Sequence, residues 1–121
     1  MSVKDTCVTL VPYFEVDQGQ LAAFKKLCDK FIELTSTEEK CVHYGFSFCN
    51  HEAHCREGYT DADGVLKHLE NVDAPLKAAL EIAKLIRLEV HGPAEELDKL
   101  REPLAALDPK YYVLEYGFRN E

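Results

Sequence analysis

Two stretches of strict alternation lie back to back near the middle of the chain: Val42-His43-Tyr44-Gly45-Phe46-Ser47-Phe48, and Ala53 through Tyr59. Successive strand residues point to opposite faces. Val42, Tyr44, Phe46 and Phe48 therefore share one face, and His43, Gly45, Ser47 and Cys49 the other. In the second stretch Cys55, Glu57 and Tyr59 oppose His54, Arg56 and Gly58. Only Asn50-His51-Glu52 separate the runs, so the pair reads as an antiparallel hairpin. Any fold for this chain has to be built around that hairpin.

The flanks supply the rest. Residues 7–14, β-branched and aromatic, predict a strand, and Pro12 predicts that it is an edge strand or carries a bulge. Asp17-Gln18-Gly19-Gln20 has capping-box spacing. The helix after it carries Leu21, Phe24, Leu27, Cys28, Phe31 and Leu34 at helical period. Thr35 to Lys40 is a polar connection. Thr60-Asp61 caps a helix with Val65, Leu66, Leu69 and Val72 on one side, and Asp73-Ala74-Pro75 restarts a second with Leu76, Ala79, Leu80 and Ala83 inward. Residues 85–91 form a strand that Gly92-Pro93 stops. A helix follows, ended or kinked by Pro103, and Tyr111 to Phe118 is a last strand.

This order, with a hairpin between helices, is the ferredoxin-like split βαβ pattern: an α+β fold with an antiparallel sheet and helices on one face. Residues 1–121 are one domain, in which 93–121 form a C-terminal helix–strand extension. The open sheet face still carries apolar and aromatic side chains, and a homodimer is the simplest cover for it.

Composition narrows the function. A net charge of −8 argues against nucleic acid, which is bound through clustered Lys and Arg. No apolar run approaches the roughly 18 residues of a membrane span. Lys4, Asp5 and Thr6 lead into a strand and not into a signal-peptide pattern, so a cytoplasmic protein is expected. Five cysteines cannot all pair within one chain, which fits reduced thiols. Cys49, His51, His54 and Cys55 invite a metal reading. On a hairpin, however, His54 and Cys55 face opposite ways, and at most Cys49, His51 and His54 converge, so no metal is expected.

The stretch Glu57-Gly58-Tyr59-Thr60-Asp61, followed in the next helix by Gly64 and His68, resembles the signature of the antibiotic biosynthesis monooxygenase superfamily. That signature reads Glu-x-aromatic-x-Asp at the end of the third strand, then Ala-x-x-x-His. Gly64 stands where Ala is usual, and Tyr59 where Trp is commonest. The resemblance covers residues 7–92 and implies a dimeric α+β barrel with a pocket for a small, often aromatic ligand between sheet and helices. It also implies a cofactor-independent monooxygenase acting on a phenolic or quinol-type compound. In that reading His68 is the general base and Glu57 orients it, while Tyr59, Tyr44, Asn71 and Tyr13 are candidate substrate contacts. Haem degradation, the chemistry of another branch, is disfavoured because the chain has no tryptophan. The same residues fit a non-catalytic small-ligand-binding barrel, stress-associated or of another pathway. Fold alone does not choose between them.

Overall fold

The structure, a computed structural model, describes residues 5–120. Its elements are β1 (Val8–Val16), α1 (Leu21–Thr35), β2 (Cys41–Cys49), β3 (Glu52–Tyr59), α2 (Ala62–Asn71), α3 (Asp73–Ile82), β4 (Ala83–Gly92), α4 (Ala94–Asp98) and β5 (Lys110–Val113). The five strands form one sheet in the order β2-β3-β1-β4-β5, antiparallel except for the parallel β4–β5 pair at one edge. The first four strands have ferredoxin-like topology, as the hairpin pattern implies.

Several local expectations are corrected. β1 is central and not an edge. Pro12 is accommodated beside a register shift at Tyr13/Phe14 against β4, the bulge that was the other option for a proline there. A second shift, between Cys41 and His43, turns Val42 outward to 55% exposure, so the alternation of β2 holds only from His43 onward. Asp17 does not cap α1. Gly19, at φ +81°, closes a turn in which the Gln20 amide donates to the Asp17 carbonyl, and the helix begins one residue later without a side-chain cap. Asp61 does cap α2, accepting from the Gly64 amide at 3.0 Å. Leu80 is 41% exposed, and Ala83 belongs to β4. α4 ends at Asp98, well before Pro103, and the chain continues in turns. β5 stops at Val113, because only four residues find partners on β4.

Two buried clusters hold the layers together. Val8, Leu10, Tyr59, Val65, Val90, Leu97 and Leu104 form one, toward α4. Phe14, Phe24, Phe31, Ala53, Val72 and Ala79 form the other, under α1 and α3. Fully burying one such Phe or Leu side chain stabilises the fold by about 1.5–3 kcal/mol. Between the clusters runs a cavity.

Candidate functional site

The cavity takes Leu10, Leu88 and Leu104 from the first cluster and Phe14, Phe31 and Val72 from the second. Its lining is aliphatic or aromatic except where Tyr44, Cys55, Glu57 and His68 meet it. Its volume is about 50 Å³.

Glu57 reaches this position through the pleat. Cys55, Glu57 and Tyr59 alternate onto the helix-facing side of β3, where all three are buried. His68 comes down from α2, one turn before the helix ends, and is also buried. Its Nε2 stands 3.3 Å from Glu57 Oε1. Its Nδ1 stands 3.2 and 3.0 Å from the two carboxyl oxygens of Glu38. Glu38 lies in the short connection after α1. Asn71 holds it there, its Nδ2 donating to Glu38 Oε2 at 2.8 Å and to the Leu34 carbonyl at 2.9 Å. Tyr59 donates its hydroxyl to Glu57 Oε1 at 2.6 Å, and the rings of Tyr44 and Tyr59 each pack 5.2 Å from the imidazole.

These contacts set the protons. A carboxylate can only accept, so Glu38 assigns the ring hydrogen of neutral His68 to Nδ1. Nε2 then turns a lone pair toward a Glu57 oxygen, an arrangement that is favourable only with a proton between them. Burial supplies that proton: it pushes the Glu57 carboxyl up to about 8, against the hydrogen bonds from Tyr59 and Cys55, while the nearby Glu38 charge adds to the rise. Burial likewise depresses His68, opposed by its contact with Glu38. Both directions favour the neutral forms, a protonated Glu57 carboxyl facing the Nε2 lone pair of a neutral imidazole. Burial also raises the Tyr44 and Cys55 hydrogens well above their ordinary range, so neither is a competing anion.

The expected site residues separate into groups. His68, Glu57 and Tyr44 meet at the cavity. Tyr59 is fully buried behind Glu57 and is not in the lining, so it supports the carboxyl and is not a wall. Asn71 likewise works through Glu38 and not by facing the cavity. Tyr13 is corrected outright: it points to the other side of the sheet, stacked on His54 at 4.6 Å between ring centroids. Glu57 sits on the Nε2 side of the ring, and the residue that orients the imidazole from Nδ1 is Glu38. Nothing in the sequence singled out Glu38, because a Glu in a polar connection has no period or motif. Leu104 and Leu107, which line the cavity from the C-terminal segment, were likewise not singled out by the sequence.

The cysteine–histidine stretch does not converge. Cys49 is exposed, His51 lies in the turn, His54 stacks on Tyr13 and Cys55 is in the core. Among the described residues no three His, Cys, Asp or Glu side chains are grouped to hold a metal ion. No helix among them is long and apolar enough to cross a membrane.

Among solved structures, MupZ from Pseudomonas fluorescens superposes with a TM-score of 0.92 at 47% sequence identity, over 96% of each chain. The chain belongs to the same family as MupZ. Its fold is that of the antibiotic biosynthesis monooxygenase superfamily, as the Glu57 to His68 pattern implies. A protein from Nitrosomonas europaea provisionally named an antibiotic biosynthesis monooxygenase matches with a TM-score of 0.68 at 12% identity, over 75% of this chain and 93% of its own. One from Caulobacter crescentus CB15, provisionally named in the same way, matches with a TM-score of 0.64 at 16% identity, over 71% and 88%. At those identities the likeness is one of fold. No protein-family model and no curated protein matches the chain.

Proposed function

We propose that the chain is an acid–base enzyme that moves one proton to or from a small, largely apolar molecule bound between sheet and helices. One observation carries this reading: the row Glu57–His68–Glu38 meets a largely apolar cavity at Glu57 and His68. A positioned, desolvated pair that exchanges its proton near neutral pH is what general acid–base catalysis needs, and such groups contribute about 10²–10⁴ in rate. Glu57 and His68 handle the proton, and Tyr44 forms a wall. The 50 Å³ cavity is smaller than the ~300 Å³ of typical ligand sites. Entry therefore displaces side chains of α3, where Leu80 both lines the cavity and is exposed.

The finer reading is cofactor-independent oxygenation, supported by the names of the neighbours with this fold. A phenolic or quinol-type substrate gives its proton to the pair, and the resulting electron-rich anion reacts with dioxygen. For an activated CH₂ the balance is R₂CH₂ + O₂ → R₂C=O + H₂O. One oxygen atom stays on carbon and the other leaves as water with the two hydrogens. A second reading is favoured by the raised Glu57 carboxyl, which makes the resting pair an acid: addition or elimination at an oxygen-bearing carbon, without dioxygen.

Oxygen uptake and product mass, measured aerobically and anaerobically over a panel of quinols, catechols and small apolar alcohols, test both. Uptake that disappears in Glu57→Gln supports oxygenation. Anaerobic turnover supports the second reading. Binding without turnover, unchanged in His68→Ala, overturns both and leaves a ligand-binding barrel.

The reading includes a homodimer, in which a second copy covers the sheet face that bears Val11, Tyr13 and His54. Sedimentation equilibrium should then give twice the 13.8 kDa of one chain; a monomer at micromolar concentration rejects it.

A further inference from the structure

Two spaces border the Glu57–His68–Glu38 row, one at each end. The cavity touches Glu57 and His68 but not Glu38, whereas a groove of about 240 Å³ touches Glu38 but neither of the others. Ile32, Thr35, Cys41, Val42 and Tyr44 line this groove together with Glu38, and Tyr44 is the wall shared by both spaces. Exposure follows the same direction: the Glu38 side chain is 10% exposed, that of Glu57 4% and that of His68 3%.

We infer that Glu38 is the solvent-side end of a two-proton relay through His68, and that its shift switches Glu57 between acid and base. The inference rests on the acid–base reading above and adds to it the route by which the proton reaches bulk water. In one state the His68 Nδ1 hydrogen is donated to the Glu38 carboxylate, and Glu57 carries a proton toward Nε2. In the other, the Glu57 proton has moved to Nε2 as the Nδ1 proton moves to Glu38. Two protons shift by one bond each, none is gained or lost, and the negative charge passes from Glu38 to Glu57. The first state offers the cavity an acid and the second a base.

Orientation of the ring alone would need only an acceptor, which a backbone carbonyl or an amide supplies. A carboxylate, held in place by Asn71 and bordering a groove, can also take the proton and exchange it with water. The groups that face the relay are few. Asn71 and Cys41 face Glu38, His43 lines the same groove, and Cys55, Tyr59 and Tyr44 face Glu57.

The experiment needs no substrate. The full chain, labelled with ¹⁵N-histidine, is examined by NMR for the tautomer of His68 and for exchange of its ring hydrogens with water. In the wild type the Nδ1–H tautomer is expected to dominate, with the Nε2–H tautomer as a minor state in exchange with it across about pH 5 to 9. Glu38→Gln keeps an acceptor for Nδ1 but cannot take the proton, so His68 should lock as the Nδ1–H tautomer. Exchange should then slow by about a hundredfold, the low end of what a positioned proton carrier contributes. Glu38→Asp, which restores a carboxylate, should recover much of that rate. A folded Glu38→Gln with wild-type tautomers and exchange overturns the relay. If that variant does not fold, the wild type decides alone: the absence of any exchange with a minor Nε2–H tautomer across the range overturns it. A panel in which no compound is turned over counts against the enzymatic reading and leaves this measurement untouched.

Discussion

His68 Nδ1 lies 3.0 Å from Oε2 of Glu38, a residue 30 positions earlier in the chain. The contact ties the connection after α1 to α2, and so fixes one helix against another through a polar pair inside an apolar layer. Removing the acceptor leaves a buried N–H unsatisfied, which costs about 1–3 kcal/mol. Glu38→Ala is therefore expected to lower unfolding stability by that amount in urea denaturation at neutral pH. Glu38→Gln, which keeps an acceptor, should lose well under half as much. Equal losses in the two variants would show that the hydrogen bond is not what Glu38 contributes.

The Glu57 carboxyl has a second consequence. Its ordinary value is 4.5 and its folded value about 8. Folded chains thus keep a proton that unfolded chains have already lost. The stability from this group is fully present below about pH 4.5 and is lost as pH rises through about 8. The full loss is on the order of a few kcal/mol, since one unit corresponds to about 1.4 kcal/mol. Glu57→Gln has no carboxyl to titrate at that position. Denaturation curves at about pH 5 and pH 8.5 should show the variant gaining on the wild type by a few kcal/mol at the higher pH. Parallel behaviour at both would mean that Glu57 is not held neutral by burial.

The frame of the fold was legible because period carries it. The alternation from His43 to Phe48 and from Ala53 to Tyr59 set the hairpin, and the stripe from Leu21 to Leu34 set α1. Asp61 was legible as a cap, since capping is a local matter. Glu57 and His68 could be paired from their faces and from the resemblance. Glu38 could not be, because its contact is made by how the connection folds back over α2, and no local pattern encodes that. Tyr13 was misplaced for a related reason. Aromatics on both faces of β1 look alike in sequence, and only the partner strands show which face turns toward the helices. The central position of β1 was hidden by Pro12, whose missing hydrogen is excused by a bulge that depends on β4.

The start of α2 depends on the C-terminal segment. Glu96 of α4 is buried, accepts the Ala62 amide at 2.9 Å through Oε1, and receives Lys99 Nζ at 2.9 Å on Oε2. It satisfies one of the free amides of the helix that carries His68. Glu96→Ala is expected to cost about 1–2 kcal/mol, the scale of a lost helix cap. Calorimetry should show a lower Tm. Amide exchange should quicken at Ala62 and its neighbours before it does in β1. A Tm unchanged within error would show that α4 does not support α2.

Gly64 is where the superfamily pattern has alanine, and its surroundings explain the departure. A Cβ built on Gly64 would lie 2.9 Å from Lys40 Cβ and 3.2 Å from Tyr59 Cβ. Lys40 Cβ is next to the backbone and cannot swing away as a side-chain tip would. The Lys40 ammonium is also tied down, 2.9 Å from Asp61 and 3.2 Å from Asp63. Two effects compete in Gly64→Ala. Helix propensity favours alanine by about 1 kcal/mol, whereas overpacking costs typically 1–3 kcal/mol. A contact under 3 Å with a constrained atom puts the cost toward the upper end, so the net change is expected to be a loss of about 1–2 kcal/mol. The displaced Tyr59 ring should also loosen its hydrogen bond to Glu57, which would move the carboxyl further above its ordinary value. Urea denaturation, with the Glu57 carboxyl followed by infrared titration, checks both parts. A variant more stable than the wild type would mean that Lys40 gives way freely, and that glycine at this position is not required by packing.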